Sequence, residues 1–274
     1  MSTPSFAGIE LDRSPVSSTA RMSSLVGGET RLLRRNKLML FNAFVMPILP
    51  FLLLIPMRLN DKLDQEQTML FVSISLALIL LFVIYYNVLS AAVARRDELV
   101  LKRLRTGEAS DKEILTCLAL PSMAIGVILF VAMTLVAWLV LGQAPPVNPL
   151  LLAVSVLGGS LLFVLLALVT TTFTKSSEAA QITSLPIVLV SMLGVGFTSV
   201  DWMPEWGQIA TRFTPMSPVS ELFRLGWGGE QYDGTVVNFL DSFASSWQPL
   251  AILLGWIVLA AGCAITYFRW EPRG

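Results

Sequence analysis

The amino-acid sequence predicts an all-α membrane protein with six membrane-spanning helices. Of its 274 residues, 54% are hydrophobic and only 14% are charged, whereas a typical soluble domain has about 25% charged residues. The mean hydropathy is +0.70, which is typical of a chain that lies largely in a bilayer. The chain has no net charge and thus gives no indication of nucleic acid as a partner. It contains no histidine, and its two cysteines are too few for a disulfide framework.

Six apolar segments are long enough to cross a bilayer, which takes about 20 residues at a rise of about 1.5 Å each. They occupy approximately residues 38–56, 69–93, 118–141, 149–173, 182–200 and 248–268. Residues 1–24, by contrast, are rich in Ser, Thr, Pro and Arg and contain no apolar block. That composition predicts a disordered cytosolic tail rather than a signal peptide. One transmembrane domain is then expected over residues 25–274.

The basic residues predict which ends of these spans face the cytosol. If the N-terminus is cytosolic, fifteen of the 19 Lys and Arg residues fall in the tail, the inner loops and the C-terminus. The outer loops then hold only Arg58, Lys62, Arg212 and Arg224. Because cytosolic loops of membrane proteins are enriched in Lys and Arg, this bias predicts that both termini are cytosolic.

Prolines inside two of the predicted spans indicate kinks, because a proline removes a backbone donor and bends the helix. Pro47 and Pro50 fall in the first span, and Pro186 falls in the fifth, near Gly194 and Gly196. We expect these two helices to line a path or to meet a second subunit. Ordinary packing is the alternative, since Pro and small residues are frequent in membrane helices.

The segment from residue 93 to residue 115 concentrates charge in the middle of this apolar chain. It holds six of the 19 Lys and Arg residues and five of the 19 Asp and Glu residues. Residues 95–106 are predicted to form a short helix, with acidic residues in its first turn and basic residues in its last turn. Gly107 is expected to end that helix.

An apolar stripe and a capping signal distinguish this segment from a plain charged loop. One face of the predicted helix carries four apolar side chains, Val93, Val100, Leu101 and Leu104. Ser110 and Glu113 then have the spacing of a capping box, so the next membrane helix should start in the cytosol at about Asp111. A loop that only fixes the topology needs basic residues alone. The stripe and the second helix start therefore favour a docking element.

The six predicted spans contain no Asp, Glu, Lys, Arg or His. A charge at mid-bilayer costs on the order of 3 kcal/mol, so it is retained mainly where function needs it. A proton-coupled transporter usually has such a group, and a serine nucleophile would have no histidine to activate it. The chain also lacks a G-x-x-x-x-G-K-[ST] phosphate loop. We therefore expect no enzyme, no catalytic or metal-binding residues, and a separate polypeptide as the source of energy.

Three stretches of the chain resemble the membrane subunit of ABC-2 type ABC exporters. ETRLLRRNKLMLFNAFVMPILPFLLL (29–54) is similar to the family's amphipathic N-terminal helix and first span. RRDELVLKRLRTGEASDKEIL (95–115) is similar to its coupling segment, and MPEWGQIATRFTPMSPVSELFRLGW (203–227) is similar to the stretch before its last span. The chain departs from the coupling pattern at Val100, where the family usually has Gly, and at Gly107, where it usually has Pro.

The resemblance implies an assembly of several subunits. Two permease subunits, identical or different, would combine with two ABC ATPase subunits that bind ATP and Mg²⁺, so this chain would hold no cofactor. The coupling segment would contact the ATPase through Glu98, Val100, Leu101, Arg103, Leu104 and Arg105. The N-terminal helix would lie on the lipid of the inner leaflet and support that contact through Glu29, Arg31, Leu32, Arg34 and Arg35. A simple basic membrane anchor is the alternative for this helix.

Residues 201–247 are too apolar for a simple solvated loop. Prolines divide them into short pieces, which favours a pair of short helices that re-enter the outer leaflet before the last span. By resemblance this element closes the external end of the pathway, and its residues are Pro204, Trp206, Phe213, Pro215 and Pro218. An aromatic belt at the membrane surface is the alternative.

The predicted spans carry only scattered polar groups, among them Asn42, Tyr85, Asn87 and Thr170. Such a pathway suits a hydrophobic or amphiphilic cargo, such as a drug, an antibiotic or a lipid-like molecule, and makes a small ion a poor candidate. A polysaccharide or lipid-linked glycan exporter is the alternative within the family. A secondary transporter and a non-transporting membrane protein are the alternatives outside it. The expected location is the cytoplasmic membrane.

Overall fold

The computed structural model describes residues 18–35, 37–59, 65–105, 110–196, 204–231, 234–268 and 270. These residues are helical apart from their connections and one isolated bridge between Glu230 and Val236. The helices are α1 (Ser18–Arg35), α2 (Lys37–Leu59), α3 (Gln65–Leu78), π1 (Ile79–Tyr86), α4 (Asn87–Asp97), α5 (Val100–Arg105), α6 (Asp111–Leu139), α7 (Pro149–Thr171), α8 (Ala179–Gly196), α9 (Glu205–Arg212), α10 (Ser217–Gly228), α11 (Phe239–Ser245) and α12 (Trp247–Tyr267). The predicted all-α class is confirmed.

Helices stand at all six predicted span positions, and within the described residues four of them are long and apolar enough to cross a membrane. By length and composition, these four are Gln67–Asp97, Asp111–Leu139, Pro149–Thr171 and Trp247–Tyr267. The other two positions correspond to α2 and α8, whose apolar stretches are shorter. Six spans with both termini in the cytosol therefore stay a prediction. Kinks at Pro47, Pro50 and Pro186 also stay a prediction, since α2 and α8 continue through these prolines.

The second predicted span is one continuous rod with a π-helical centre. α3, π1 and α4 follow one another without a break, and we call them together the rod. The apolar side chains of π1 are buried against α2, α6 and α7. The Tyr85 hydroxyl lies 3.1 Å from Thr170 Oγ1, which itself donates to the carbonyl of Leu166. Tyr85 is therefore the donor, and its hydroxyl is satisfied inside the bundle.

The central helix of the bundle is α7, which packs against α10, α12, π1 and α4. At its start, Asn148 Oδ1 accepts hydrogen bonds from the backbone N–H groups of Leu150 and Leu151, at 3.1 and 3.3 Å. Asn148 Nδ2 also donates to Ser242 Oγ of α11 at 2.9 Å. Thr171, at the other end of α7, is roughly 34 Å away at the usual helical rise. We call the two ends of the bundle the Asn148 end and the Thr171 end.

The predicted disordered tail is too long, because α1 begins at Ser18 and residues 18–24 are helical. Contacts with α6 explain the difference. Arg21 lies 3.8 Å from the Glu113 carboxylate, and the Cys117 thiol donates to the Met22 carbonyl at 3.8 Å. Such tertiary contacts hold a segment whose own composition does not favour order. Residues 1–17 lie outside the described part of the chain.

Gly194 lets α8 lie directly against the start of α10. A Cβ at this position would clash with Thr214 Oγ1 and would lie 2.7 Å from the backbone nitrogen of Ser217. Because the second atom belongs to the backbone, a change of rotamer cannot relieve the contact. The close approach fixes the hairpin of α9 and α10 to the rest of the bundle.

We expect Gly194→Ala to destabilise the protein by about 1–3 kcal/mol, since α8 and α10 must separate to make room. Gly262 in α12 offers a matched control, because outside its chain neighbours and its own helix backbone no described atom would lie within 4 Å of a Cβ at this position. Gly262→Ala should be neutral or stabilising by up to about 1 kcal/mol. Thermal unfolding of the purified variants in detergent checks this. Equal stability of the two variants would contradict the close approach of α8 and α10.

Candidate functional site

The charged segment lies at the Thr171 end, directly after the rod. The rod ends at Asp97. Glu98 and Leu99 then form a turn, after which α5 begins. Leu99 has a φ of 58°, a left-handed conformation that is uncommon for a residue other than glycine. The predicted single helix over residues 95–106 is therefore wrong. A left-handed residue ends a helix, so Asp97 and Glu98 stand at the end of the rod rather than in the first turn of a new helix.

Arg96 fastens the end of the rod to α7. The residue is only 1% exposed, and its Nη1 and Nη2 atoms donate to the carbonyls of Thr171 and Thr174, at 2.8 and 2.7 Å. Carbonyl groups at the end of a helix carry partial negative charge, which favours a cation there. The Asp97 carboxylate is 3.7 Å from the guanidinium. This role of Arg96 was not predicted, since the only signal for it in the sequence is a cation at the end of a long apolar run.

Arg95 joins the same turn to α1. Its Nε donates to Glu29 Oε1 at 3.0 Å, and its Nη1 donates to Glu98 Oε2 at 2.9 Å. Arg95 and Glu29 are largely buried, whereas the Glu98 side chain is 58% exposed. Charge-assisted pairs of this kind have a defined geometry. The contact through Glu29 supports the interpretation that the N-terminal helix holds the charged segment in place.

The start of α6 confirms the predicted capping box. Ser110 Oγ accepts from the Glu113 backbone N–H at 3.3 Å, and the Glu113 carboxylate accepts from the Ser110 backbone N–H at 2.8 Å. The helix begins at Asp111, as the sequence predicts. Residues 106–109, with the expected helix stop at Gly107, lie outside the described residues. The charged segment is thus fixed on both sides, by the rod and by α6.

Two of the predicted coupling residues face the interior of the protein. Leu101 is 1% exposed, and Leu104 is half-buried. Both line a small cavity with Leu25 of α1 and Ile114 of α6. Burial of this pair holds α5 against α1 and α6, which is a positioning role. A direct contact of Leu101 with a partner would require α5 to move.

Three neighbouring side chains of the segment are exposed instead. They are Glu98, Leu99 and Arg103, and we call them the docking surface. Val100 is half-buried, and the side chain of Arg105 lies outside the described ones. Leu99 was not among the predicted coupling residues, because its exposure depends on the left-handed turn. An exposed leucine close to an arginine suits a protein partner, because apolar side chains form the core of protein interfaces and arginine is enriched there.

The described residues of α1 point in two directions. Glu29 and Leu33 face the bundle, whereas Arg31, Leu32 and Arg35 are exposed. The side chain of Arg34 is outside the described ones. A helix with basic and apolar side chains on its outer face is typical of a membrane interface. Contact of α1 with lipid stays a prediction.

The Asn148 end contains the predicted pair of short helices, α9 and α10. Pro204 precedes α9 and is exposed, while Pro215 and Pro218 are buried around the start of α10. Trp206 and Phe213 are 74% and 58% exposed. α10 packs mainly against α7 and α12. The depth of this hairpin in a membrane and its role as an external gate stay predictions.

A group of charged residues lies in the same hairpin. Arg224 donates to Glu230, and both are half-buried. Burial raises the pKa of the Glu221 carboxyl above its usual value, and the attraction of Arg212 and Arg224 offsets this only in part. The Asn148 end therefore combines an exposed apolar face on α9 with charges enclosed behind it.

The chain matches a known protein family. The model of the ABC-2 type transporter family matches residues 21–226. That range begins inside α1 and ends inside α10, so it contains the docking surface and both arginine contacts around it. A comparison of the chain with curated proteins found no match. Since the matched range is well over half of the 274 residues, the chain belongs to the ABC-2 type transporter family, whose members are membrane permeases of ABC transporters and generally work with an ABC ATPase.

Proposed function

We propose that the chain is the permease subunit of an ATP-driven exporter in the cytoplasmic membrane. It would move a hydrophobic or amphiphilic substrate, such as a drug, an antibiotic or a lipid-like molecule, out of the cell. Two permease subunits, identical or different, would work with two ABC ATPase subunits, on which ATP and Mg²⁺ would bind. The Thr171 end would face the cytosol, which agrees with its higher content of basic residues.

The construction of the docking surface is the observation that carries this proposal. Its three side chains stand on a turn that is fastened by two neighbouring arginines, Arg96 to α7 and Arg95 to α1. A force applied to the turn would therefore reach the central helix and the N-terminal helix directly. A loop that only sets the topology needs no buried guanidinium, and burial of an arginine is costly unless its donors are used. We infer that the turn transmits movement from an ATPase.

The distribution of charge along the helices supports an apolar cargo. In the four stretches that qualify as spans, acidic and basic residues occur only at the Thr171 end, as Arg95, Arg96 and Asp97 in Gln67–Asp97 and as Asp111, Lys112 and Glu113 in α6. The polar side chains of Tyr85 and Thr170 face each other inside the bundle. A hydrophobic or amphiphilic molecule needs no fixed charge in its path, whereas a small ion usually does.

Exposed apolar faces on α2 and α8 support contact with lipid and with a second permease subunit. On α8 the exposed side chains are Ile182, Leu185, Leu189, Val190 and Leu193, and on α2 they include Phe41, Phe44, Leu49, Leu52 and Leu53. Apolar surfaces that comprise this many neighbouring exposed side chains are rarely left in contact with water. These are the two helices whose prolines predicted contact with a path or a second subunit.

Co-purification with candidate ABC ATPases tests the proposal. We expect a stable complex in detergent, and ATP-dependent movement of a fluorescent amphiphile when that complex is reconstituted in liposomes. An ATPase whose phosphate-loop lysine is replaced should bind the permease but drive no movement. Transport by this chain alone, driven by an ion gradient, would contradict the proposal and identify a secondary transporter.

A further inference from the structure

A cavity of about 270 Å³ lies at the Thr171 end between α1, α4 and α6. It has room for about nine water molecules at roughly 30 Å³ each, which is the size of a small headgroup. Leu32 and Leu33 of α1 form one wall, and Leu118 and Pro121 of α6 form another. The cavity is separate from the docking surface except at Glu98, which lies at its edge.

Asn87 is a polar residue on the wall of this cavity. It is the first residue after π1 and is only 1% exposed. Neither Oδ1 nor Nδ2 of its side chain has a hydrogen-bond partner among the described residues. A buried amide without partners costs about 1–3 kcal/mol. A π-helical turn is itself costly and is frequent at functional sites, so the position and the unmet hydrogen bonds of Asn87 both point to an occupant.

The remaining polar groups narrow the chemistry of that occupant. Ser90 of α4, Ser122 of α6 and Ser177 before α8 also line the cavity. An amide and three hydroxyls both donate and accept hydrogen bonds, and a ligand hydroxyl does the same. The polar groups on an otherwise apolar wall thus match a hydroxylated headgroup that carries an alkyl chain.

The charges at the edge of the cavity argue against an anion. Glu29 and Glu98 share the single guanidinium of Arg95, so the lining carries one surplus negative charge. A phosphate or carboxylate headgroup inside the cavity would be repelled by this surplus negative charge. Water screens that repulsion only weakly in a partly buried site.

We propose that the cavity between α1, α4 and α6 binds the uncharged, hydroxylated headgroup of an amphiphile, with Asn87 as the residue that both donates to and accepts from it. The apolar residues of α1 and α6 then contact the first part of the alkyl chain. The inference does not depend on which molecule is transported. It concerns occupation of the permease and is tested without ATP or an ATPase.

Protection of an introduced thiol measures binding in the full chain. Ala91→Cys places the thiol in the cavity at a residue without a polar side chain, Cys117→Ala removes the nearby native thiol, and native Cys263 on α12 serves as the internal reference. The protein is placed in nanodiscs of phosphatidylcholine, and the rate of alkylation by N-ethylmaleimide is measured. Decyl glucoside at roughly ten times its Kd should slow alkylation of the cavity thiol about tenfold. The rate at Cys263 should not change.

Two comparisons separate the proposed site from general effects of a detergent. Decyl phosphate and decylamine have the same chain without the uncharged hydroxylated head and should not protect. Asn87→Leu keeps the size of the side chain but removes its hydrogen-bonding atoms, and it should abolish protection while leaving the reference rate intact. A further arm uses nanodiscs that contain a galactosyl lipid and no added decyl glucoside. Protection there identifies a membrane lipid as the source, and its absence identifies a free amphiphile.

The outcomes that overturn the inference are distinct from failure of the proposed transport function. Lack of protection by decyl glucoside would mean that the cavity holds water only. Equal slowing at Cys263, equal protection by decyl phosphate or decylamine, or full protection in Asn87→Leu would show that the amphiphile acts elsewhere. A permease that binds decyl glucoside but no ATPase would refute the proposed function and leave this site in place.

Discussion

Replacement of Arg96 by methionine is expected to separate the end of the rod from α7. The substitution removes two charge-assisted hydrogen bonds and leaves the carbonyls of Thr171 and Thr174 buried without those donors. Hydrogen bonds to a charged group contribute about 1.5–3 kcal/mol each, so the expected loss of stability is on the order of 3–5 kcal/mol. The apolar stem of Met fills much of the same space, so the loss reflects the guanidinium rather than a void.

Thermal unfolding in detergent measures this loss, and two variants control it. Arg95→Met removes the pair with the exposed Glu98 and the largely buried pair with Glu29, for which a smaller cost of about 1–3 kcal/mol is expected. Arg96→Lys keeps the charge but lacks the planar fork that reaches both carbonyls, so its stability should be intermediate. If Arg96→Met unfolds at the temperature of the unchanged protein, the fastening of the rod to α7 is refuted.

A double change in the docking surface, Leu99→Asp with Arg103→Glu, is expected to weaken binding of the ATPase strongly without affecting folding. Both side chains are exposed, and aspartate tolerates the left-handed conformation of residue 99 better than leucine does. Loss of central contacts in a protein interface typically weakens binding by about 2 kcal/mol or more, which is roughly thirtyfold. ATP-driven transport in liposomes should fall at least in proportion.

Two variants separate docking from stability in this prediction. Leu240→Asp lies on an exposed residue of α11 at the Asn148 end and should leave binding of the ATPase unchanged. Leu101→Asp places a charge on a residue that is 1% exposed and should lower the unfolding temperature itself. Binding that persists in the double variant, measured by co-purification at equal expression, would show that the ATPase contacts another surface.

The helices and the capping box could be predicted from the sequence because their signals are local. A run of apolar residues and the spacing of Ser110 and Glu113 need no knowledge of distant contacts. The π-helical segment could not be predicted, since its apolar residues are equally compatible with an ordinary helix. The helical state of residues 18–24 was also beyond prediction, because it depends on contacts with Glu113 and Cys117.

The details of the charged segment could not be predicted from the sequence either, because they also depend on tertiary contacts. Its charge and apolar stripe indicated a docking element, but the stripe assigned Leu101 and Leu104 to the partner. In the structure, which contains a left-handed turn at Leu99, Leu101 is buried and Leu104 is half-buried, whereas residues 98 and 99 are exposed. The role of Arg96 also depends on carbonyls that are 75 and 78 residues away in the sequence. No local pattern encodes such a contact.

Site-specific cross-linking tests most directly whether the docking surface is where a separate ATPase acts. In a chain that carries Cys117→Ala and Cys263→Ala, either Arg103→Cys or Leu240→Cys supplies the only thiol, and a short thiol-to-amine cross-linker is added to the complex with the ATPase. The docking account predicts cross-linking from position 103, at the Thr171 end, and none from position 240, at the Asn148 end. Cross-linking from position 240, or from neither position in a complex that hydrolyses ATP, would contradict it.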